Sequence, residues 1–180
     1  KDSKAETCEN CPSGYGAGKA SVSCQGCPAG EAGIGDHGTC AKCLKGQYRS
    51  GGMNSSSCDN CPEGYYQDTK GQASCLPCLP GEFGNVTGLN SCHKCDLGKV
   101  SVSSNASRCS NCPAGQSSDA KGSAKCTLCG AGQFSNTSGS TCKACPRGFY
   151  QESSGKSYCV RTPPGAIVLS RGAAKVQVPR

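Results

Sequence analysis

The chain has no tryptophan, one methionine and three phenylalanines in 180 residues. Leucine, valine and isoleucine number seven, eight and two, which with phenylalanine makes twenty large core formers. So few cannot bury the apolar surface that offsets chain entropy, so an ordinary hydrophobic core is excluded. Long apolar runs are also missing. The longest aliphatic run is Ala166-Ile167-Val168-Leu169, far short of the roughly 20 residues of a bilayer-spanning helix, so no membrane insertion is expected in this segment. Lys1 to Thr7 is polar and lacks the apolar stretch of a signal peptide; residues 1–7 are read as a linker from an upstream region.

Concentrated charge is absent as well. The 19 Lys and Arg and 12 Asp and Glu, net +7, are scattered singly, as on a solvated surface. No basic stripe is interleaved with stacking aromatics, which excludes nucleic acid as a partner. No sheltered carboxylate pair, calcium loop, phosphate-binding glycine loop or nucleophile–base constellation is visible, so the sequence is read as no enzyme and as needing no cofactor.

What is abundant is cysteine (19), glycine (26) and proline (10). Together these counts fit one composition class, a small disulfide-rich scaffold of turns and short strands formed under oxidising conditions. Leading cysteines at 8, 24, 40, 58, 75, 92, 109, 126, 142 and 159 define a period of 16 to 18 residues, and nine of the ten units open with Cys-x-x-Cys. Every unit has glycine three positions after its second cysteine slot, from Gly14 and Gly30 through Gly148 and Gly165. A glycine at one fixed phase implies a positive φ or a close backbone approach. Proline follows the second slot in six units, Pro12, Pro28, Pro62, Pro113, Pro146 and Pro163, and sets φ at the entry to that corner. A second small turn midway through most loops (Gly18, Gly35, Gly52, Gly71, Gly88, Gly122, Gly139 and Gly155) predicts an out-and-back hairpin. The aromatics after the corner, such as Tyr15, Tyr65, Phe83, Phe134 and Phe149, are expected to pack over neighbouring disulfides.

The unit Cys-x-x-Cys-Pro-x-Gly-x-Tyr/Phe followed by a loop of 12 to 14 residues resembles the ephrin-receptor-like cysteine-rich repeat, over residues 8–165. Its loops are similar in style to those of tumour-necrosis-factor-receptor cysteine-rich modules and of large protist and algal surface glycoproteins, flagellar hair proteins among them. The resemblance implies a place in an extracellular or cell-surface ectodomain, arranged as a rod, and brings no catalytic residues with it. Units two, six and seven depart from the pattern, having Glu31, Lys99 and Gln116 where the aromatic stands elsewhere.

Three chemistries compete for the cysteines. Zinc would group pairs of Cys-x-x-Cys, but four such sites exhaust the scheme before Cys142, Cys145, Cys159 and Thr162, and only His37 and His93 could assist. A redox-active motif sits once, at a helix N-terminus, and not nine times in glycine-rich loops. Structural disulfides are favoured over both, with no metal. Two connectivities stay open. In the chained scheme the second cysteine of each unit pairs with the first of the next: Cys11–Cys24, Cys27–Cys40, Cys43–Cys58, Cys61–Cys75, Cys78–Cys92, Cys95–Cys109, Cys112–Cys126, Cys129–Cys142 and Cys145–Cys159. Only Cys8 is then left, for a partner upstream of Lys1, and Thr162 falls where no later cysteine exists. A crossed scheme, Cys8–Cys24 and Cys11–Cys27, strands Cys145. The chained scheme is favoured.

Asn54, Asn85, Asn105 and Asn136 head Asn-x-Ser/Thr sequons inside the long loops, which points to N-glycans on the hairpins and a secretory route. The expected architecture is an irregular, β-rich array of about nine to ten hairpin repeats over 8–165, each touching its sequence neighbours. Stacking about 10 Å apart, as packed sheets do, would make a rod roughly 100 Å long. Residues 166–180, with Ile167 to Leu169 apolar and Lys175 to Val178 alternating, are read as the start of a following domain or a tail. The function that follows is an extracellular structural rod or spacer in a larger surface glycoprotein or filament. Its partners would be other domains of the same parent chain and other copies in a fibre or coat. The alternative is a receptor ectodomain segment that binds a protein ligand.

Overall fold

The structure is a computed structural model that describes residues 11–12, 14–17, 23–33, 39–51 and 56–178. Cys8, Asn54, His37 and the loop glycines Gly18, Gly35 and Gly52 lie outside the described residues.

The regular structure among the described residues is eighteen two-residue strands paired antiparallel into nine hairpins. In chain order, Tyr15–Gly16 pairs with Gln25–Gly26, Glu31–Ala32 with Ala41–Lys42, and Gln47–Tyr48 with Asp59–Asn60. Tyr65–Tyr66 pairs with Leu76–Pro77, Glu82–Phe83 with His93–Lys94, and Lys99–Val100 with Ser110–Asn111. Gln116–Ser117 pairs with Thr127–Leu128, Gln133–Phe134 with Lys143–Ala144, and Phe149–Tyr150 with Val160–Arg161.

The two residues inside each Cys-x-x-Cys are therefore the return arm of a hairpin. Extended backbone puts residues i and i+3 on opposite faces, about 10 Å apart, too far to bond to each other. The first cysteine faces the loop that is ending and the second the loop that begins.

Each corner is a tight turn whose third residue is the phased glycine. The amide after it donates to the carbonyl two residues before it, as in Tyr65 to Pro62 (3.1 Å), Glu82 to Leu79 (2.9 Å) and Phe149 to Pro146 (3.1 Å). The ten corner glycines have φ between 78° and 88°, the left-handed value that the third position of a type II turn requires. The corner carbonyl then accepts from the amide of the next unit's second cysteine, as in Cys78 to Gly64 (2.8 Å) and Cys129 to Gly115 (2.9 Å), and the hairpin is closed.

The chain forms two compact units, Lys1–Cys78 with Gly84–Cys92, and Leu79–Phe83 with His93–Arg180. Within each, neighbouring hairpins are joined backbone to backbone. In the first unit the corner amides of Gly30, Gly46 and Gly64 donate to the carbonyls of Arg49, Gln67 and Gly84, three residues past the next corner. In the second, Gly81, Gly115 and Gly132 donate in the same way to Ser101, Ser135 and Gln151. A second set runs from the mid-loop glycine to the preceding hairpin's buried cysteine: Gly71 to Cys43 and Gly88 to Cys61 in the first unit, Gly122 to Cys95, Gly139 to Cys112 and Gly155 to Cys129 in the second, all at 2.8 Å. The 10 Å face-to-face spacing expected from sequence does not hold at these corners, because hydrogen-bonded backbones approach far more closely than side-chain-packed sheets.

Contact also reaches past the nearest neighbour. A Cβ on Gly30 or Gly46 would lie 2.1 Å from the carbonyl oxygen of Gly71 or Gly88, two hairpins on. In the second unit Gly81, Gly98, Gly115 and Gly132 meet Gly122, Gly139, Gly155 and Gly172 at 2.0 to 2.2 Å. The corner is thus glycine for two reasons, its φ and its contact with the second neighbour.

The stretch beyond residue 166, expected to open a new domain or trail as a tail, instead makes a tenth hairpin. Thr162 donates to Gly148 (2.9 Å), Ala166 to Pro163 (3.2 Å) and Gly172 to Cys145 (2.8 Å), while Ile167 and Gln177 form an antiparallel bridge. The alternation of Lys175 to Val178 belongs to a return arm.

The two reasons for a corner glycine separate by substitution. Gly148 has φ +82° with nothing within 4 Å of a Cβ, whereas a Cβ on Gly81, at φ +88°, would meet Gly122 O at 2.0 Å. Gly148→Ala is expected to cost only the left-handed penalty, about 1–2 kcal/mol. Gly81→Ala should cost clearly more and speed hydrogen exchange at Gly122. Denaturant unfolding of the two variants checks this, and equal losses would show that the second-neighbour contact has no energetic weight.

Candidate functional site

The interior of each unit is built from sulfur. Cys43, Cys61, Cys78, Cys95, Cys112 and Cys145 are 0 % exposed, with Cys27 and Cys129 also buried. Their partners, the cysteines that close each loop, are half-buried. Nine disulfides join Cys11–Cys24, Cys27–Cys40, Cys43–Cys58, Cys61–Cys75, Cys78–Cys92, Cys95–Cys109, Cys112–Cys126, Cys129–Cys142 and Cys145–Cys159. This is the chained pairing, with loops spanning 13 to 15 residues. All eighteen described cysteines are thereby consumed, and none is left as a thiolate ligand or nucleophile.

Sequence reasoning missed a second buried position, three residues after the corner glycine. Arg49, Gln67, Ser101, Ser118, Ser135 and Gln151 occupy it, and all are buried. At most of these positions the polar side chain meets loop amides and carbonyls that turn inward and need partners, whereas Ser118 Oγ is buried without a hydrogen bond. Gln67 Nε2 donates to Ser74 O (2.7 Å) while its Oε1 accepts from the Thr69 amide (3.0 Å). Gln151 repeats the pattern with Tyr158 O (2.8 Å) and the Ser153 amide (3.1 Å). Each glutamine cross-braces one loop. Ser101 reaches two residues on, to the carbonyl of Ser103 (3.0 Å), and Ser135 reaches both Thr137 O (3.3 Å) and, across its loop, the hydroxyl of Ser140 (2.7 Å).

Arg49 does this work between hairpins. Its Nη1 stands within donor reach of the carbonyls of Cys27 (2.9 Å), Pro28 (3.3 Å) and Glu31, which sets backbone dipoles around a buried cation and removes it from the surface charge. The signal for this position in the sequence is its phase, since its polar residues recur at corner plus three, but their chemistry varies from one hairpin to the next.

The aromatics contribute less to the interior than their spacing suggests. Tyr15, Tyr48, Tyr65, Phe83 and Phe134 are half-buried and Phe149 is exposed. Phe83 stands across the strand pair from His93, ring centroids 5.6 Å apart. Of the sequons, Asn85, Asn105 and Asn136 are exposed. Asn105 has φ 56° four residues before its closing cysteine, where other loops have glycine. Asparagine tolerates that conformation better than other side chains.

One ion pair is present among the described residues, Lys121 Nζ to Asp96 Oδ1 at 2.9 Å. The hydrogen bond and charge of Lys121 hold the Asp96 carboxyl below its usual range. A lowered carboxylate pKa stabilises the fold at neutral pH and loses that effect as pH falls through the lowered value. Both groups are solvent-exposed, so the contribution is small.

No helix among the described residues is long and apolar enough to cross a membrane. Fold and site together define a tandem array of disulfide-stapled β-hairpins with almost no aliphatic core. Two stretches, residues 46–88 and 132–177, match the family described as tyrosine-protein kinase ephrin type A/B receptor-like. These stretches are similar to ephrin-receptor-like cysteine-rich repeats, and the nine disulfides suit the oxidising conditions in which extracellular domains form. The comparison with curated proteins gives no match.

Two predictions follow from sulfur and amide. Closing a loop of this size is worth about 3 kcal/mol by the chain-entropy estimate, and no apolar core replaces it. Full reduction is therefore expected to unfold the hairpins while a zinc chelator leaves them intact, as read by circular dichroism and small-angle scattering; an unchanged profile after reduction would contradict the account. Gln151→Ala strands a loop carbonyl and an amide, and is expected to cost about 1–3 kcal/mol. Faster hydrogen exchange at Ser153 under native conditions is the check.

Proposed function

We propose that this chain is a structural spacer within a larger extracellular surface protein, non-catalytic and without a cofactor, that keeps other domains of its parent chain apart or joins other copies in a fibre or coat. The observation that carries this reading is repetition. The same corner, the same bond from the second cysteine's amide to the preceding corner carbonyl and the same mid-loop bond recur in hairpin after hairpin, while side chains vary on the surface and at the buried position three past the corner. A binding site needs one repeat to differ from the rest, whereas a spacer needs them alike. Cross-links that each close a loop spanning 13 to 15 residues suit a segment that meets proteases and mechanical load without a core to protect it. The exposed sequons at Asn85, Asn105 and Asn136 and the fourth at Asn54 are read as glycan attachment points on the loops.

The second reading, a receptor segment, draws on Leu44, Leu79 and Leu128, each more than half exposed. Exposed leucines are common on folded proteins and do not by themselves mark a ligand site.

Native parent protein taken from its own surface tests both. Electron microscopy of the assembly together with glycopeptide mass spectrometry is expected to show regularly repeated contacts or evenly held-apart domains, with sugar on at least some of the four asparagines. A discrete protein ligand seated on one or two hairpins would replace the spacer by the receptor reading. Four unmodified asparagines would remove the support that the sequons lend to a secretory route.

A further inference from the structure

We propose that residues 162–178 are a hairpin repeat in which Thr162 and Val176 stand in the two disulfide positions, and that this hairpin opens on its own while its stapled neighbours stay closed. Three independent features identify it as a repeat and not a tail. Its corner Gly165 has φ +81° and its mid-loop Gly172 has φ +75°, like their counterparts in the stapled hairpins. Gly172 bonds Cys145 O at 2.8 Å, as Gly155 bonds Cys129 O, and its carbonyl lies 2.0 Å from where a Cβ on Gly132 would be. The stretch 132–177, which matches the ephrin-receptor-like family, takes in the whole of it up to Gln177.

Register locates the staple positions. In the hairpin of Cys129 the second strand residue Phe134 pairs with Lys143, and the closing Cys142 immediately precedes Lys143. Here Ile167 pairs with Gln177, so the closing position is Val176. Thr162 holds the opening position, three residues before Gly165, and its amide bonds Gly148 O as a cysteine amide does elsewhere. The separation is 176 − 162 = 14 residues, the same as in Cys145–Cys159. The sequence carries the same alignment: Gly115, Lys121, Gly122 and Lys125 stand fifty residues before Gly165, Arg171, Gly172 and Lys175, and Cys112 and Cys126 stand fifty before Thr162 and Val176. Thr162 Oγ1 is buried without a hydrogen-bond partner, as expected of a hydroxyl placed where the other hairpins bury sulfur.

Without a covalent closure this hairpin is held by Cys145, Gly148 and its own short bridge. Removing a staple from a loop of this length frees chain entropy equivalent to about a hundredfold in the opening equilibrium. The hairpin is therefore the place where this unit begins to unravel, and the place where the backbone edge of the Cys145 hairpin becomes reachable.

The test is the double variant Thr162→Cys with Val176→Cys in the full chain, beside the unaltered protein. A tenth disulfide is expected in the oxidised variant by peptide mapping, with the Gly172 amide exchanging about a hundredfold more slowly than in the unaltered protein and the Gly155 amide unchanged. Two new cysteines that stay as free thiols, or pair elsewhere, would overturn the register. A Gly172 amide that already exchanges as slowly as Gly155 in the unaltered protein would overturn the independent opening, and that measurement does not depend on the variant folding.

Discussion

In these units backbone atoms of different hairpins approach one another directly, and backbone can do that only where side chains are missing. The corner glycine is where this requirement is met. Its left-handed φ turns the chain, its amide reaches the next hairpin, its carbonyl receives the next cysteine's amide, and its missing Cβ admits the loop of the hairpin beyond. Strands of two residues suffice because these contacts, together with the disulfide, replace the ladder that longer strands would supply. The scarcity of aliphatic residues is then intelligible. An interior made of cystine, glycine backbone and polar groups has little room for a leucine, and six of the seven leucines, Leu44 and Leu128 among them, are exposed.

Phase made much of this legible in the sequence. The fixed glycine after each second cysteine announced a positive φ or a close approach, and both are present at Gly81. The chained pairing could be argued from the ends of the array, because Thr162 falls where a partner runs out. Less legible was anything whose chemistry changes between repeats while its location stays put. Arg49, Gln67 and Ser135 look unrelated by residue type, yet each satisfies carbonyls from the same buried place. The tail was misread for a related reason. Once cysteine is the marker of a repeat, a hairpin with threonine and valine in its place drops out of view, although Gly165 and Gly172 still keep the phase. The stacking distance could not be read at all, since sequence does not say whether neighbours meet through side chains or through backbone.

The polar position three past the corner also shows how the array tolerates variety. Glutamine braces its own loop, serine reaches two residues on or across to the fifth, and arginine reaches back to the hairpin before. All three answer the same demand, that inward-facing loop carbonyls find donors. A repeat of this kind can thus diverge at its surface and even at this inner position without moving its backbone, which suits the ephrin-receptor-like stretches at 46–88 and 132–177 sharing geometry more than residues.

The return arm inside each Cys-x-x-Cys has a consequence for how such arrays are cut and lengthened. The conspicuous motif joins the end of one loop to the beginning of another, so a fragment excised between motifs, starting for example at Cys109, carries a closing cysteine with no loop to close. The piece that can be moved intact runs from a second cysteine to the residue before the next second cysteine, Cys112 through Leu128, with its staple and both arms inside. Motif and module are out of step by three residues. Duplication in the module's frame adds a complete hairpin, whereas a fragment running from one leading cysteine to the next, Cys109 through Lys125, parts both of its cysteines from their partners Cys95 and Cys126.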